Sequence, residues 1–440
     1  MSSTHTWWRG AAGIMVAAFL TVASLGPVHA ALHTAAAAKT TLIFWSHDNK
    51  DWIAAYNALI ARFEKAHPDI VVKYQKFPYQ GLLAKLGTTL GTSAAPDVAD
   101  PFGTWVTGYA RAGKLDPVPS SVATTKQIQS TYFPAAIGAS FYNGKYYALP
   151  HEYNLENDGM LVDPVAFKQA GIGHYPRTWA ELKADAARLT VRKGNTIKRA
   201  GFLFTSDDNI TFLFLALILQ QGADYWASDK VHVNLTTPAA VRAMQEENSF
   251  IQAKIESERD FPTGASLDIF DYFFRHQAAM VYRGPWVIGT GQATYKGVTF
   301  AYVPAPSFTS RPPYFAAESG WSDIVSATSK HKAAAWEFVK FINSKDNDRL
   351  WNITTYTVPS RKDLVDDPAF LRARPLMKPV FGYLGYGRWV GPVQDRDRFW
   401  ASIHRYASKI FRNEISVQDG LKKAQDEINT MIDQQLGAGQ

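Results

Sequence analysis

The sequence predicts an α/β fold of two domains, on two observations. Thr41–Ser46 (TLIFWS) reads as a short buried strand, Asp51–Ala66 as a helix and Asp69–Gln75 (DIVVKYQ) as a second strand. Strand, helix and strand within about 35 residues form a crossover unit, which sets its two strands parallel. The chain is also 440 residues long, enough for two domains with sizeable cores. Its 46% hydrophobic and 19% charged content describes a globular chain, not a disordered one.

The elements follow in order. Trp52, Tyr56, Leu59, Ile60 and Phe63 recur at helical spacing and give the first helix one apolar face, and His67-Pro68 stops it. Leu82–Leu90 is a second helix, Pro96–Ala99 the start of a third strand, and Trp105–Gly113 another helix. Asn143-Gly144 between aromatic arms marks a hairpin over Phe141–Leu149. Asp163–Ala170 is helical, and Thr178-x-x-Glu181 is a capping box opening the helix Trp179–Leu189. Gly201–Thr205 reads as a strand and Asn209–Gln221 as a strongly apolar, buried helix. Thr237-Pro238 starts a long helix to about Glu256. Ile269–His276 is a short helix, and Met280–Tyr282 ends a strand before the turn Gly284-Pro285. Trp286 then begins a new helix, where an indole faces either a cleft or the core. A strand at Val298–Val303, a strand within Glu318–Val325 and a helix at Lys330–Asn343 come next. The last two helices run over Arg396–Phe411 and Ser416–Gln435.

The N-terminus has the layout of a secretory signal peptide: Arg9, the apolar run Ala11–Leu25, then Val28-His29-Ala30 as a small-residue cleavage site, with Ala35–Ala38 as a second possible one. The run of about 15 residues is short of the roughly 20 that span a bilayer. Removing residues 1–30 takes away Arg9 and no acid, so the net charge falls from +7 to +6. The basic residues are scattered, and the densest group, Arg188–Arg199, reads as a solvated face, which argues against nucleic-acid binding. The absence of cysteine excludes disulfides and thiol catalysis. There is no G-x-S-x-G elbow, no P-loop and no G-x-G-x-x-G fingerprint, and His151-Glu152 is followed by Leu155 where a zinc protease needs histidine. No pair among the eleven histidines has metal-ligand spacing. These absences favour a binder over an enzyme, with no cofactor and no metal.

Several runs together resemble the family 1 extracellular solute-binding proteins, the sugar-capturing subunits of ABC importers. They are Leu42–Trp45, Phe63–Ile70 and Ala95–Val98 near the start, then Leu115-Asp116-Pro117 and Pro176–Leu182. Ala279-Met280 with Gly284-Pro285-Trp286, Glu318–Val325, the run AWEFVKFI at Ala335–Ile342, and Val358-Pro359-Ser360 complete the match. It covers nearly all of the chain after the signal peptide. One departure is Val162-Asp163-Pro164, where the family has Y-N-K.

The resemblance implies a type II periplasmic binding protein fold: two lobes, each a mostly parallel sheet flanked by helices, with the ligand cleft between them. It divides the chain into residues 31–149 and 304–348 for the first lobe, and 150–303 and 349–440 for the second. Crossovers fall near 149–154, 300–306 and 346–356. It implies an exported, periplasmic, monomeric protein that partners the permease subunits of an ABC importer. Open α/β sheets bind ligands in loops at the carboxyl ends of strands. From the first lobe these loops offer Trp45, His47, Asp48, Asp100, Glu318 and Trp321, and from the second Asn209, Trp286 and Arg388. Glu152 sits in the first crossover, where the family often places a sugar-binding acid. Four of these have a structural alternative: Trp45 a core ring, Asp48 the cap of the first helix, Glu152 a hinge ion pair, Arg388 a surface cation. Indoles stack on the C–H faces of a pyranose, and acids and amides bond its hydroxyl rim. A phosphorylated polyol, bound through Arg283 or Arg388, and a hydrolase with two carboxylates are the competing readings.

Overall fold

The computed structural model describes residues 39–155, 159–206, 208–264, 267–393 and 395–437. The signal-peptide reading lies outside them. In chain order the strands that set the architecture begin with β1 (Thr40–His47), β2 (Ile70–Phe77), β3 (Val98–Ala99), β4 (Ala148–Pro150) and β5 (Gly159–Val162). They continue with β6 (Met280–Tyr282), β7 (Ala301–Pro304), β8 (Phe315–Ala317), β9 (Ser322–Val325) and β10 (Gly387–Trp389). The helices that position the site are α1 (Lys50–Ala66), α2 (Tyr79–Thr89), α3 (Gly103–Arg111), α4 (Asn209–Gln220) and α5 (Pro238–Gln252). After these come α6 (Val287–Thr294), α7 (Lys332–Ile342), α8 (Lys345–Thr355) and α9 (Arg396–Phe411).

One sheet has the order β2-β1-β3-β9-β4. β1 runs parallel to β2 and β3, as the crossover unit requires. β9 runs antiparallel to both β3 and β4. The second sheet has the order β6-β5-β7 and is antiparallel throughout, with parallel bridges at Ala200–Ala278 and Leu203–Val281 along its edge. Parallel pairing is thus less prevalent than the expected mostly parallel sheets. The cause is connectivity: β5 and β9 follow passages of the chain between the two sheets, and a strand arriving that way is free of the helical crossover that imposes parallel direction. The strand read over Gly201–Thr205 is reduced to the bridge at Leu203.

α1 buries the face its spacing announced, Trp52, Ala55, Tyr56, Leu59, Ile60 and Phe63. Each such large apolar side chain contributes about 1.5–3 kcal/mol by leaving water. With Leu42, Phe44, Leu86 and Phe338 this face forms the core of the first sheet. α4 is buried on nearly every side, as an all-round apolar helix must be. It centres the second core with Met160, Phe202, Phe204 and Met280. A third cluster, including Tyr153, Leu161, Val287 and Phe315, lies beneath the crossovers.

Two segments near the expected boundaries make contacts of their own. Residue 348 lies inside α8, whose Trp351 packs on Tyr56 at 4.3 Å between ring centroids, so the helix stays with the first sheet through Thr355. In 304–314, assigned to the first lobe, Phe308 packs on Trp179 in the second core.

Candidate functional site

A cavity of about 340 Å3 opens where the crossovers run between the two sheets. Four separated segments line it: the start of α1, the crossover Glu152–Leu155, the turn and helix from Pro285 to Thr294, and Thr355–Val358 after α8. Trp321 completes the wall. Glu152, Trp286 and Trp321, chosen from sequence in three distant stretches, therefore share one cavity.

Trp321 is 7% exposed and is set among rings. Trp52 meets it edge-on at 4.7 Å and 88°, Phe102 at 5.4 Å, His47 at 5.5 Å, Trp105 at 5.9 Å and Tyr79 at 6.0 Å. Its backbone N–H points to Glu152 Oε1 at 3.5 Å, linking the acid of one crossover to the ring of another. The strands approach so closely that a Cβ on Gly320 would stand 2.2 Å from the Glu152 carbonyl oxygen, so only glycine fits there. Ser319 beside it has φ 71° and is held there by bonds from its hydroxyl to the Ala135 carbonyl and from the Ala139 N–H to its hydroxyl. Backbone in this region is uncommon for a non-glycine residue and clusters at functional sites.

Trp286 is half-buried and caps the start of α6, one residue before the position expected. The Arg283 guanidinium lies 4.8 Å from the centroid of its ring and Phe270 meets it edge-on at 5.5 Å. Arg283 is held by Asp268 Oδ2 and Asn209 Oδ1, each at 2.8 Å. Asn209 also donates to the Tyr282 carbonyl. Asn209 thus acts behind the cavity wall, fixing the cation that backs Trp286.

The other sequence candidates do not line the cavity. Trp45 is 5% exposed in the first core, against Phe77 and under the Lys85 ammonium. His47 is half-buried behind Trp321, and burial lowers its pKa against the opposing pull of Asp48. Asp48 is exposed and is not the cap of α1 either. Asn49 takes that place, accepting from the N–H groups of Asp51 and Trp52 at 2.9 and 3.4 Å. Asp100 is fully buried beneath the sheet edge, where burial and the Asp323 carboxylate push its pKa well up. Glu318 is fully buried in a two-point pair with Arg396, at 2.7 and 3.1 Å, and Arg396 also reaches Asp208 at 3.0 Å. Burial opposes the charge on Asp208, yet Arg396 and Arg283 hold its pKa below the ordinary value. Arg388 is exposed over the Tyr314 ring, in a separate groove with Trp226 and Trp389.

Sequence reasoning missed Asn49, Trp52 and Tyr356. Trp52 was read only as part of an apolar face, but its place in the first turn after a strand carries it to the rim as well. Tyr356 ends α8 in the left-handed conformation, φ 59°, with the Arg374 guanidinium stacked on it. It packs so near α6 that a Cβ on Gly289 would stand 2.5 Å from its ring.

The fold has counterparts among known proteins. The diacetylchitobiose binding protein DasA of Streptomyces coelicolor is 22% identical over 410 residues, covering 90% of both chains. The sugar-binding protein MalE from Xanthomonas citri superposes with a TM-score of 0.79 at 20% identity, over 91% of this chain and 99% of that one. The GacH receptor of Streptomyces glaucescens, whose structures are unliganded and in complex with acarbose or an acarbose homolog, superposes with a TM-score of 0.72 at 25% identity. It is matched over 99% of its length and 90% of this chain. The shared architecture is the two-lobe type II binding-protein fold. The family model described as bacterial extracellular solute-binding protein matches residues 48–349, more than half of the sequence. This chain belongs to the bacterial extracellular solute-binding protein family.

Proposed function

We propose that this protein captures a sugar, a mono- or oligosaccharide, outside the cytoplasmic membrane and hands it unaltered to the permease of an ABC importer. The observation that carries this reading is the convergence of Trp286, Trp321 and Glu152 on one cavity. Indoles at two walls suit the apolar faces of a pyranose, and the crossover acid suits its hydroxyl rim. We assign the lobes to the two sheets, with the crossovers at 150–155, 305–321 and 356–358 as the hinge. A ligand touching both lobes favours their closed arrangement, and that shape is what a permease recognises. The relatives named for diacetylchitobiose and sugar binding, and the receptor complexed with acarbose, support a carbohydrate.

A phosphorylated polyol is the weaker reading. Arg283 is engaged by Asp268 and Asn209, and Arg388 lies in another groove. A hydrolase is disfavoured because the family consists of binding proteins. No helix among the described residues is long and apolar enough to cross a membrane. We read the protein as a monomer exported to the periplasm, with signal cleavage near Ala30. A thermal-shift screen against a sugar panel, followed by calorimetry, tests the proposal, because a ligand bound only by the native state raises the unfolding midpoint. Binding of at least one sugar without turnover is the expected result. A response to glycerol phosphate esters alone, or the appearance of cleaved product, would reverse it.

A further inference from the structure

Behind the Trp52 and Trp321 wall sits a charged cluster that sugar capture does not use. Asp100 follows β3, His151 follows β4 and Asp323 lies in β9, all within the first sheet. The three are 0%, 2% and 0% exposed. His151 Nδ1 stands 3.3 Å from Asp323 Oδ2, and its Nε2 stands 3.7 Å from Asp100 Oδ1. One ligand atom from each side chain lies within 4.8 Å of the other two.

The two carboxylates are in unlike states. Asp323 is held in place: Asn343 Nδ2 donates to its Oδ2 at 2.7 Å, and the Tyr56 hydroxyl to its Oδ1 at 3.4 Å. Asp100 is not. Neither of its carboxylate oxygens, nor His151 Nε2, has a hydrogen-bond partner of ordinary geometry among the described residues. The rings of Trp52, Tyr56 and Trp351 crowd His151 and keep water away. No Lys or Arg pairs with either carboxylate among the described residues. Two ionised carboxylates with at most one imidazolium leave net negative charge in a low-dielectric interior, which is costly. Two carboxylates, a neutral imidazole and a dication sum to zero.

We propose that Asp100, His151 and Asp323 hold a divalent metal ion beneath the floor of the ligand cavity. Mixed imidazole and carboxylate donors in a dry pocket suit zinc, which accepts four ligands, and not calcium or magnesium, which take six or more oxygens. Four-coordinate zinc with bonds of about 2.0–2.2 Å sets its ligand atoms roughly 3.4 Å apart; one donor atom from each of the three side chains already lies within 4.8 Å of the other two, so the three must draw in around a single imidazole nitrogen when the ion binds. The ion ties together β3, β9 and the crossover after β4, so it fixes the neighbours Glu152 and Trp321. The sequence expected no metal because no histidines pair in it. Here the ligands come from three distant segments. The proposal does not depend on the ligand being a sugar.

The test uses the purified protein stripped with a chelator, then titrated calorimetrically with zinc chloride, with calcium chloride as the control. The expected result is stoichiometric zinc uptake, no response to calcium, and an unfolding midpoint several degrees higher with zinc. Asp100→Asn should abolish the uptake and the midpoint response. The stripped variant should be at least as stable as the stripped wild type, since a buried charge is gone, and this separates lost binding from lost folding. Equal zinc uptake by wild type and Asp100→Asn would overturn the proposal in favour of surface histidines. So would the absence of zinc uptake by the stripped wild type.

Discussion

Trp321 and Trp286 face the same cavity from opposite settings. Trp321 is nearly buried, held by five rings, and backed by a cluster with no Lys or Arg partner among the described residues. Trp286 is half-buried, and what backs it is a cation already balanced by Asp268 and oriented by Asn209. The first wall is therefore continuous with a hydrophobic core, and its geometry follows from folding. The second is a ring stacked by the Arg283 guanidinium and met edge-on by Phe270, at the rim of the cavity. Damage to the first should register as lost stability, and damage to the second as lost affinity.

The largest expected effect is therefore that of Trp321→Ala, a loss of about 3–5 kcal/mol in unfolding free energy by urea denaturation. A loss under about 1 kcal/mol would erase the contrast. Next is Trp286→Ala, which should weaken sugar binding by about 30-fold, roughly 2 kcal/mol, while the unfolding midpoint moves little. Calorimetry beside the thermal scan separates the two quantities.

A pH titration sharpens the comparison on the side of the second core. Glu247 and Glu256 are both fully buried, and burial raises both pKa values, with their mutual repulsion adding to the rise for Glu247. A raised folded-state carboxyl contributes stability that is fully present below the unfolded value of 4.5 and lost as pH rises toward the folded one. Glu247→Gln, neutral throughout, should flatten the decline in stability above pH 4.5, as followed by denaturant midpoints across pH. Asp208, held low by Arg396, works in the opposite sense: its contribution is present above its unfolded value of 3.8 and lost as pH falls through the depressed one. The smallest effect is that of Asn49→Ala. Loss of the α1 cap should cost about 1 kcal/mol and loosen only the Trp52 side of the cavity, read as a small midpoint drop with Trp286 fluorescence unchanged.

Local pattern carried much of this to the reader of the sequence. The β1-α1-β2 unit was legible because its apolar spacing is strict, and α9 occupies the bounds read for it from the sequence, with an Asp395 cap that the reading passed over. Trp286 and Glu152 were legible through motifs and their place at a turn and a crossover. Other features depend on partners far along the chain. Glu318 was expected in the cleft, but Arg396, 78 residues later, holds it. Arg388 went to another groove because β10 pairs with β8, a register no local signal encodes. Asp48 and Asn49 are both good caps by composition, and only the backbone angles at the strand end choose between them. Tyr356 reaches the cavity through a left-handed residue at the end of α8, a conformation its residue type does not announce.

Gly320 has a consequence beyond the fit of two strands. Because it rests against the Glu152 carbonyl with no side chain between them, the spacing of the crossovers there is set by bare backbone, as a shim sets a bearing. A methyl group at this position would push on the Glu152 backbone itself, and with it on the acid and the neighbouring indole of the cavity, so both the resting angle of the molecule and its grip on the cargo would shift. The dose at which the protein responds could then be retuned from its axle.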